Sequence, residues 1–348
     1  MSEDRSTGFL DDVLGDPVPP PADVEPRRAA RARTGGTDQV FRAGLRAAAV
    51  SVLAIMTTIG LFLFYRGAIA LGEAGPSFVT TQEWDPNSGH FGIAAVLTGT
   101  LMIATVAIVF AVPLATGVAL YISEYAPRRI RGFLVNLVDL MAAVPSVVYG
   151  LWGLLLLSEQ VIPVARWISA TFGWIPFLSI PDVDPNDPLA AETVYKSSTF
   201  LAGVVVALMI MPIISSIMRD SFTQAPVGER EGAFALGATK WGMIRTVVIP
   251  FGLGGMIGGT MLGLGRAMGE TIAVYMIITP IFQIQPYILR SGSNSVSALI
   301  AQRFGAATPF ELSALFAAGL ALFALTLVVN FSASAIIART RSGAVSDA

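Results

Sequence analysis

The chain contains no cysteine, which excludes disulfide frameworks, thiolate zinc sites and thiol nucleophiles and leaves the compartment open. Histidine occurs once, as His90 with no second ligand nearby, so no metal site is expected. The two lysines, Lys196 and Lys240, follow Tyr195 and Thr239. No G-x-x-x-x-G-K-S/T loop therefore exists, and no ATP site of that kind. Charged residues make up only 13% of 348 positions, and no cofactor or nucleic-acid partner is expected. Apolar residues, by contrast, make up 54%, and the mean hydropathy is +0.68. That balance belongs to a polytopic membrane protein.

A bilayer core of roughly 30 Å takes about 20 apolar residues per helix. Six stretches meet that length: Ala47–Leu71, Ile93–Ile122, Phe133–Leu157, Ser198–Met218, Val247–Thr279 and Phe310–Ala338. The second and fifth are long enough to predict tilt or a kink, with Pro113 a kink site. With the amino terminus inside, sixteen Lys and Arg fall in cytoplasmic segments and five in outer ones, leaving Arg266 over. Both termini are expected in the cytoplasm. Residues 1–43 are rich in Pro, Asp, Arg, Gly and Ser and are predicted to be a disordered cytoplasmic tail. Residues 44–338 form the six-helix domain, and 339–348 a second cytoplasmic tail. No cleaved secretory signal fits, because the first apolar run is long enough to span.

Between spans, Glu124-Tyr125-Ala126-Pro127-Arg128-Arg129-Ile130-Arg131 is short and basic. It suits anionic headgroups, or a second contact with a cytoplasmic partner. The stretch from Ser158 to Ser197 is the longest outer connection; Trp167 and Trp174 suit the interface. Its acidic run Asp182–Asp187 lacks the Gly and the final Glu of a calcium loop, leaving a solvated loop or a docking site for an external protein. Thr308, Pro309 and Glu311 make a helix-start signal, so Glu311 is expected to be structural. Arg290, Arg303 and Ser291–Ser295 are candidate outer docking residues, against an ordinary polar loop. Asn136 and Asp139 lie in the third span, where Asp139 either reaches headgroup water or serves transport.

The fifth span carries Arg266 and Glu270 within GGTMLGLGRAMGETIAVYMI. Four apart on a helix, the two share a face and can pair. A lone Arg at the membrane centre costs on the order of 2.5–3.5 kcal/mol, so such groups face a polar interior. Arg266 lies sixteen residues beyond Pro250, roughly 24 Å along a helix. A guanidinium fork suits two oxygens of a phosphate; a buried structural pair, and a proton relay through Glu270, are the other readings. Gly255, Gly259 and Gly263 form a small-residue stripe suited to close helix packing, not a phosphate-cradling loop.

Between the fourth and fifth spans lies EGAFALGATKWGMIRTVVIP. Its Glu231, Ala233, Gly237 and Pro250 have the spacing of the cytoplasmic EAA loop in ATP-binding-cassette (ABC) importer permeases, which it resembles. Gly232 replaces the second Ala, Val247 the Ile and Ile249 the Leu; all three swaps keep polarity and rough size. The alternative is an ordinary helical connector. The phrases LGLGRAMGETIAV, ALMIMPIISSIMRDSF and AAVPSVVYGLWG further resemble the permeases of phosphate-specific ABC importers, the PstC subunit more than its PstA partner. The resemblance covers Ala47 to about Ala338. It implies an all-α type I importer permease of six transmembrane helices, multi-pass in the bacterial plasma membrane. It also implies Arg266 and Glu270 as substrate-pathway residues, and residues 226–250, with Glu231, Gly232, Ala233, Gly237 and Pro250, as the ATPase coupling loop. The implied partners are a PstA-type permease, a PstB-type ATP-binding dimer and a PstS-type external phosphate-binding protein. Such a subunit is a transport component; its partner hydrolyses ATP. Rival readings are a permease for sulfate, molybdate or another oxyanion, an ion-coupled secondary transporter in which Glu270 titrates, and a sensory subunit.

Overall fold

The computed structural model describes residues 36–181, 183–185, 187 and 191–341. The chain divides into two compact units, Met1–Thr57 and Thr58–Ala348. In the first, the described residues are helical, the opening part of α1 (Gly36–Ala74). Helix thus begins inside the segment expected to be a tail, because Ala, Leu and Arg from position 42 onward favour helix and extending a helix costs far less than starting one. Residues 1–35 and 342–348 of the two expected tails lie outside the described residues.

The remaining helices are α2 (Ala94–Leu120), α3 (Arg128–Ala143), α4 (Ser146–Trp152), α5 (Ser158–Phe172), α6 (Thr199–Thr223), α7 (Val227–Ala235), α8 (Lys240–Met243), α9 (Ile249–Met268), α10 (Ile272–Ile277), α11 (Val296–Arg303) and α12 (Pro309–Arg341). A two-residue hairpin, β1 (Trp84–Asp85) with β2 (His90–Phe91), pairs Trp84 with Phe91. Five-residue π turns at Tyr121–Tyr125, Gly153–Leu157 and Ile244–Val248 join or extend helices.

Six helical segments are long and apolar enough to cross a bilayer: Gln39–Val79, Ala94–Tyr125, Ser146–Phe172, Thr199–Thr223, Lys240–Met268 and Pro309–Ser332. The expected number therefore holds, but the third and fifth spans move, the fifth to Lys240–Met268. The third begins at Ser146, not Phe133, because Pro145 lacks an N–H and drives Val144 to an extended ψ of 129°. Asn136 and Asp139 consequently sit on α3, exposed and ahead of the span. The span runs on to Phe172, so the first 15 residues of the expected outer connection are helix. The helix of the second span continues through Pro113.

The centre of the fold is α2 against α6. On α2, Ala104, Ala107, Ala111, Ala115 and Ala119 recur at three- and four-residue steps and are at most 1% exposed. On α6, Gly203 has no room for a side chain: a Cβ there would sit 2.4 Å from Val106 Cγ1. Small residues replace the hydrophobic effect as the means of close approach between helices in lipid. The glycine stripe of α9 serves the same end. A Cβ on Gly255 would lie 2.3 Å from Ser221 Cβ, and one on Gly263 would lie 2.5 Å from Ile214 Cδ1, both on α6.

Around the β1–β2 hairpin, Phe91 makes edge-to-face contacts with Phe78, Trp84 and Phe310, at 6.0, 6.3 and 5.6 Å. Thr308 Oγ1 accepts the Glu311 N–H at 3.2 Å, as its start signal predicts. The Glu311 carboxylate accepts the Trp84 indole N–H at 3.3 Å, a structural role that ties the hairpin to α12. In the connection before α6, burial pushes the Tyr195 phenol above its ordinary value, and Arg166, 5.6 Å from the ring centre, opposes that shift.

Candidate functional site

Two places on the fifth span gather the residues singled out by sequence. The first is the helical hairpin α7–α8 that leads into it. Helix α7 ends at Ala235 in a Schellman closure: the Ala238 N–H donates to Ala233 O at 3.0 Å and the Gly237 N–H to Phe234 O at 2.9 Å. Gly237 holds φ +81°, a left-handed conformation that penalises any side chain. Thr239 then caps α8, its hydroxyl accepting the Gly242 N–H at 3.1 Å. Pro250 follows the π turn Ile244–Val248 at the second position of α9, within the continuous helical segment Lys240–Met268.

The surface this hairpin offers is small and apolar. Leu236 is 90% exposed, Trp241 56% and Phe234 47%. Glu231 is exposed, and a Cβ on Gly232 would meet no atom within 4 Å. Ala233 is partly buried and packs on the core behind. Phe234 and Leu236 are thus exposed apolar side chains beside the charged Glu231, outside the spanning length.

The basic link after the second span lies against this hairpin. Arg230 Nη1 is 3.1 Å from Glu124 Oε2, and Lys240 Nζ is 4.5 Å from the centre of the Tyr125 ring.

The second place is the far end of the same span. Helix α9 stops at Met268, and the chain breaks over Gly269, Glu270 and Thr271 before α10 resumes. The expected helical pairing of Arg266 with Glu270 does not form, since the two no longer share a continuous helix. Glu270, 9% exposed, instead turns its carboxylate to the Ala273 N–H at 3.3 Å, one of the donors a helix start leaves unmet. Gly265 and Gly269 make the break inexpensive, and the last bonds tighten to Glu270 N–H on Ala267 O at 3.3 Å.

Arg266 stands in the last turn of α9, exposed on this chain and without an ion-pair partner among the described residues. It lines an open cavity of about 560 Å³ with Ile213, Met261, Leu262, Gly265, Thr326 and Asn330. A permanently charged fork beside a hydroxyl and an amide can bind an anion bearing several oxygens. A broken helix near such a charge is a recurring form of transport site.

Sequence reasoning missed Ser297. Its hydroxyl donates to Glu270 O at 2.7 Å across 27 positions, meeting a carbonyl that the break leaves without a helical partner. Nothing in a Ser-rich loop signals this, because the partner is set by how α11 folds back. The same folding removes Ser293, Asn294 and Ser295 as docking candidates, for they are 5%, 2% and 3% exposed. Asn294 O approaches α2 so closely that a Cβ on Gly99 would lie 2.0 Å from it. Of the outer candidates, Arg303 is exposed and Arg290 partly so. No group of three or more potential metal ligands occurs among the described residues.

Residues 111–342 match the family described as binding-protein-dependent transport system inner membrane component. The phosphate transport system permease protein PstC 2 of Mycobacterium tuberculosis is 35% identical over 303 residues, covering 86% of this chain and 91% of that one. The phosphate transport system permease protein PstC of Mesorhizobium japonicum is 36% identical, covering 93% and 98%. Among solved structures, a bacterial ABC transporter for import of the acidic polysaccharide alginate aligns with a TM-score of 0.52 at 17% identity, over 86% of this chain and 99% of that one. A second alginate transporter structure, with its pentasaccharide-bound periplasmic protein, aligns at 0.55 and 16% identity, over 85% and 93%. At those identities the structures establish the fold, while the family match and the two permeases establish kinship. The chain belongs to the binding-protein-dependent transport system inner membrane components, the multi-pass permease subunits of ABC transporters.

Proposed function

We propose that the chain is the PstC-type permease of an ATP-driven importer that carries inorganic phosphate across the plasma membrane. The observation that carries this reading is Arg266, an exposed guanidinium at the end of an otherwise uncharged helix, opening on a cavity beside Thr326 and Asn330. The names of its relatives support phosphate as the cargo. In this reading Arg266 draws the anion into the pathway. Glu270, holding the start of α10 beside that path, helps keep capture weak enough for release. The partners are a PstA-type permease, a PstB-type ATPase dimer seated on α7–α8 through Glu231, Gly232, Ala233 and Gly237, and a PstS-type phosphate-binding protein outside. Pro250 lies early in the helix that carries the motion inward.

The test is ATP-dependent accumulation of labelled phosphate in sealed vesicles holding the chain and these partners, with sulfate and molybdate as competitors. Accumulation suppressed only by unlabelled phosphate supports the reading. Suppression by another oxyanion changes the cargo, and uptake that needs no ATP but collapses with an uncoupler transfers the chain to the secondary carriers.

A further inference from the structure

Buried charge at the cytoplasmic face is concentrated in one contact. Glu124 belongs to the π turn that ends the second span, and its side chain is 4% exposed; Arg230 belongs to α7, and its side chain is 20% exposed. Their single close contact is 3.1 Å, between Oε2 and Nη1. The other terminal nitrogen of Arg230 donates to Phe222 O at 2.6 Å, at the end of the fourth span. One guanidinium therefore holds the ends of two spans and the hairpin together. Two neighbouring contacts reinforce the assembly. Arg131, at the start of α3, donates to the Ser123 carbonyl of the same π turn. Lys240, on α8, lies over Tyr125.

Stability alone does not account for the choice of residues. A buried ion pair loses hydration on both sides, and apolar side chains of similar volume commonly serve a fold as well or better. An ion pair adds direction: it resists separation while its partners can exchange which atoms touch. Here both residues keep an idle polar atom, for Glu124 Oε1 and Arg230 Nε are buried with no hydrogen-bond partner. By giving up the Nη1 contact and turning, the guanidinium can present its Nε and Nη2 edge to both carboxylate oxygens as a side-on fork, a second bonded arrangement that engages both idle atoms. A contact with two bonded arrangements is what a moving joint between rigid helices requires.

We propose that the Glu124–Arg230 bridge is the joint through which displacement of the α7–α8 hairpin is passed to the second and fourth spans. It rests on the reading of that hairpin as the ATPase seat. Glu124 and Arg230 are positioning residues: neither touches substrate, and both act by tying the seat to the ends of the second and fourth spans.

The experiment uses the whole complex in vesicles, with phosphate moved and ATP hydrolysed measured together, and with Glu124→Gln, Arg230→Gln and the double variant compared. Each single variant is expected to recruit the ATPase normally and to move about 10-fold less phosphate per ATP, within the range measured for coupled charge pairs. The double variant is expected to be no worse than either single one, because one joint can be lost only once. Wild-type coupling in the single variants, or losses that multiply in the double, overturns the proposal. If a single variant fails to assemble because it leaves a lone buried charge, the neutral double variant decides. Low coupling there supports the joint, whereas normal coupling or failed assembly overturns it. A wild-type complex that recruits no ATPase would instead remove the docking reading, and the joint with it.

Discussion

Two Arg–Glu combinations, one at the far end of the fifth span and one ahead of its start, behave in opposite ways. Arg266 and Glu270 are four residues apart and do not pair; Arg230 and Glu124 are 106 positions apart and do. The difference is backbone continuity and burial. At the far end the helix breaks over Gly269–Thr271, so Glu270 is recruited to the unmet N–H groups of α10 and the guanidinium of Arg266 stays open to its cavity. At the near end two chain segments meet inside the protein, and the low local polarity holds their charges together. An unpaired cation is available to a ligand, while a paired one transmits force. Proximity along the chain predicts neither state.

The comparison can be broken at its open end first. Arg266→Gln should lower phosphate uptake by about 100-fold, the loss of roughly 3 kcal/mol expected for a charge-assisted contact. Co-purification of the ATPase should be unchanged, and undiminished vesicle uptake would remove Arg266 from the pathway. A second change attacks the scaffold that holds the break. Gly99→Ala places a methyl group against Asn294 O and should cost about 1–3 kcal/mol, the range for overpacking, read as a lower denaturation midpoint in detergent. Ser297→Ala leaves Glu270 O without its donor in a buried site and should cost about 1–2 kcal/mol, with uptake falling more than stability if the break positions Arg266. The smallest effect belongs to the closed end. Thr239→Ala removes the α8 cap and should cost about 1 kcal/mol, visible as faster hydrogen exchange in α8 with Arg266-dependent uptake retained.

Much of the fold was legible before any coordinate. Runs of apolar residues counted the spans correctly, since a bilayer imposes one length on every crossing. Gly237 holds its place in the EAA spacing, and the structure shows it in a turn at φ +81°. Gly255 and Gly263 announced close packing, and α6 occupies the space their side chains would need. The errors share a cause. Reading the third span from Phe133 treated hydropathy as continuous through Val144-Pro145, where the backbone is not. Pairing Arg266 with Glu270 made the same assumption through Gly269. Hydropathy sees side chains, whereas helix continuity depends on main-chain hydrogen bonds.

Glu124 and Ser297 show the other limit. Each is an ordinary residue in an unremarkable local sequence, and each gains its role from a partner more than 25 positions away. The sequence by itself determined that this chain spans a membrane six times, presents a Gly-hinged hairpin and carries an Arg within its fifth apolar run. Those properties follow from local transfer energies and backbone preferences, which each segment carries alone. Only the tertiary structure decided which charges meet, which are left open and which serine closes the broken helix. Such pairings depend on distances between segments that become fixed only when the helices pack.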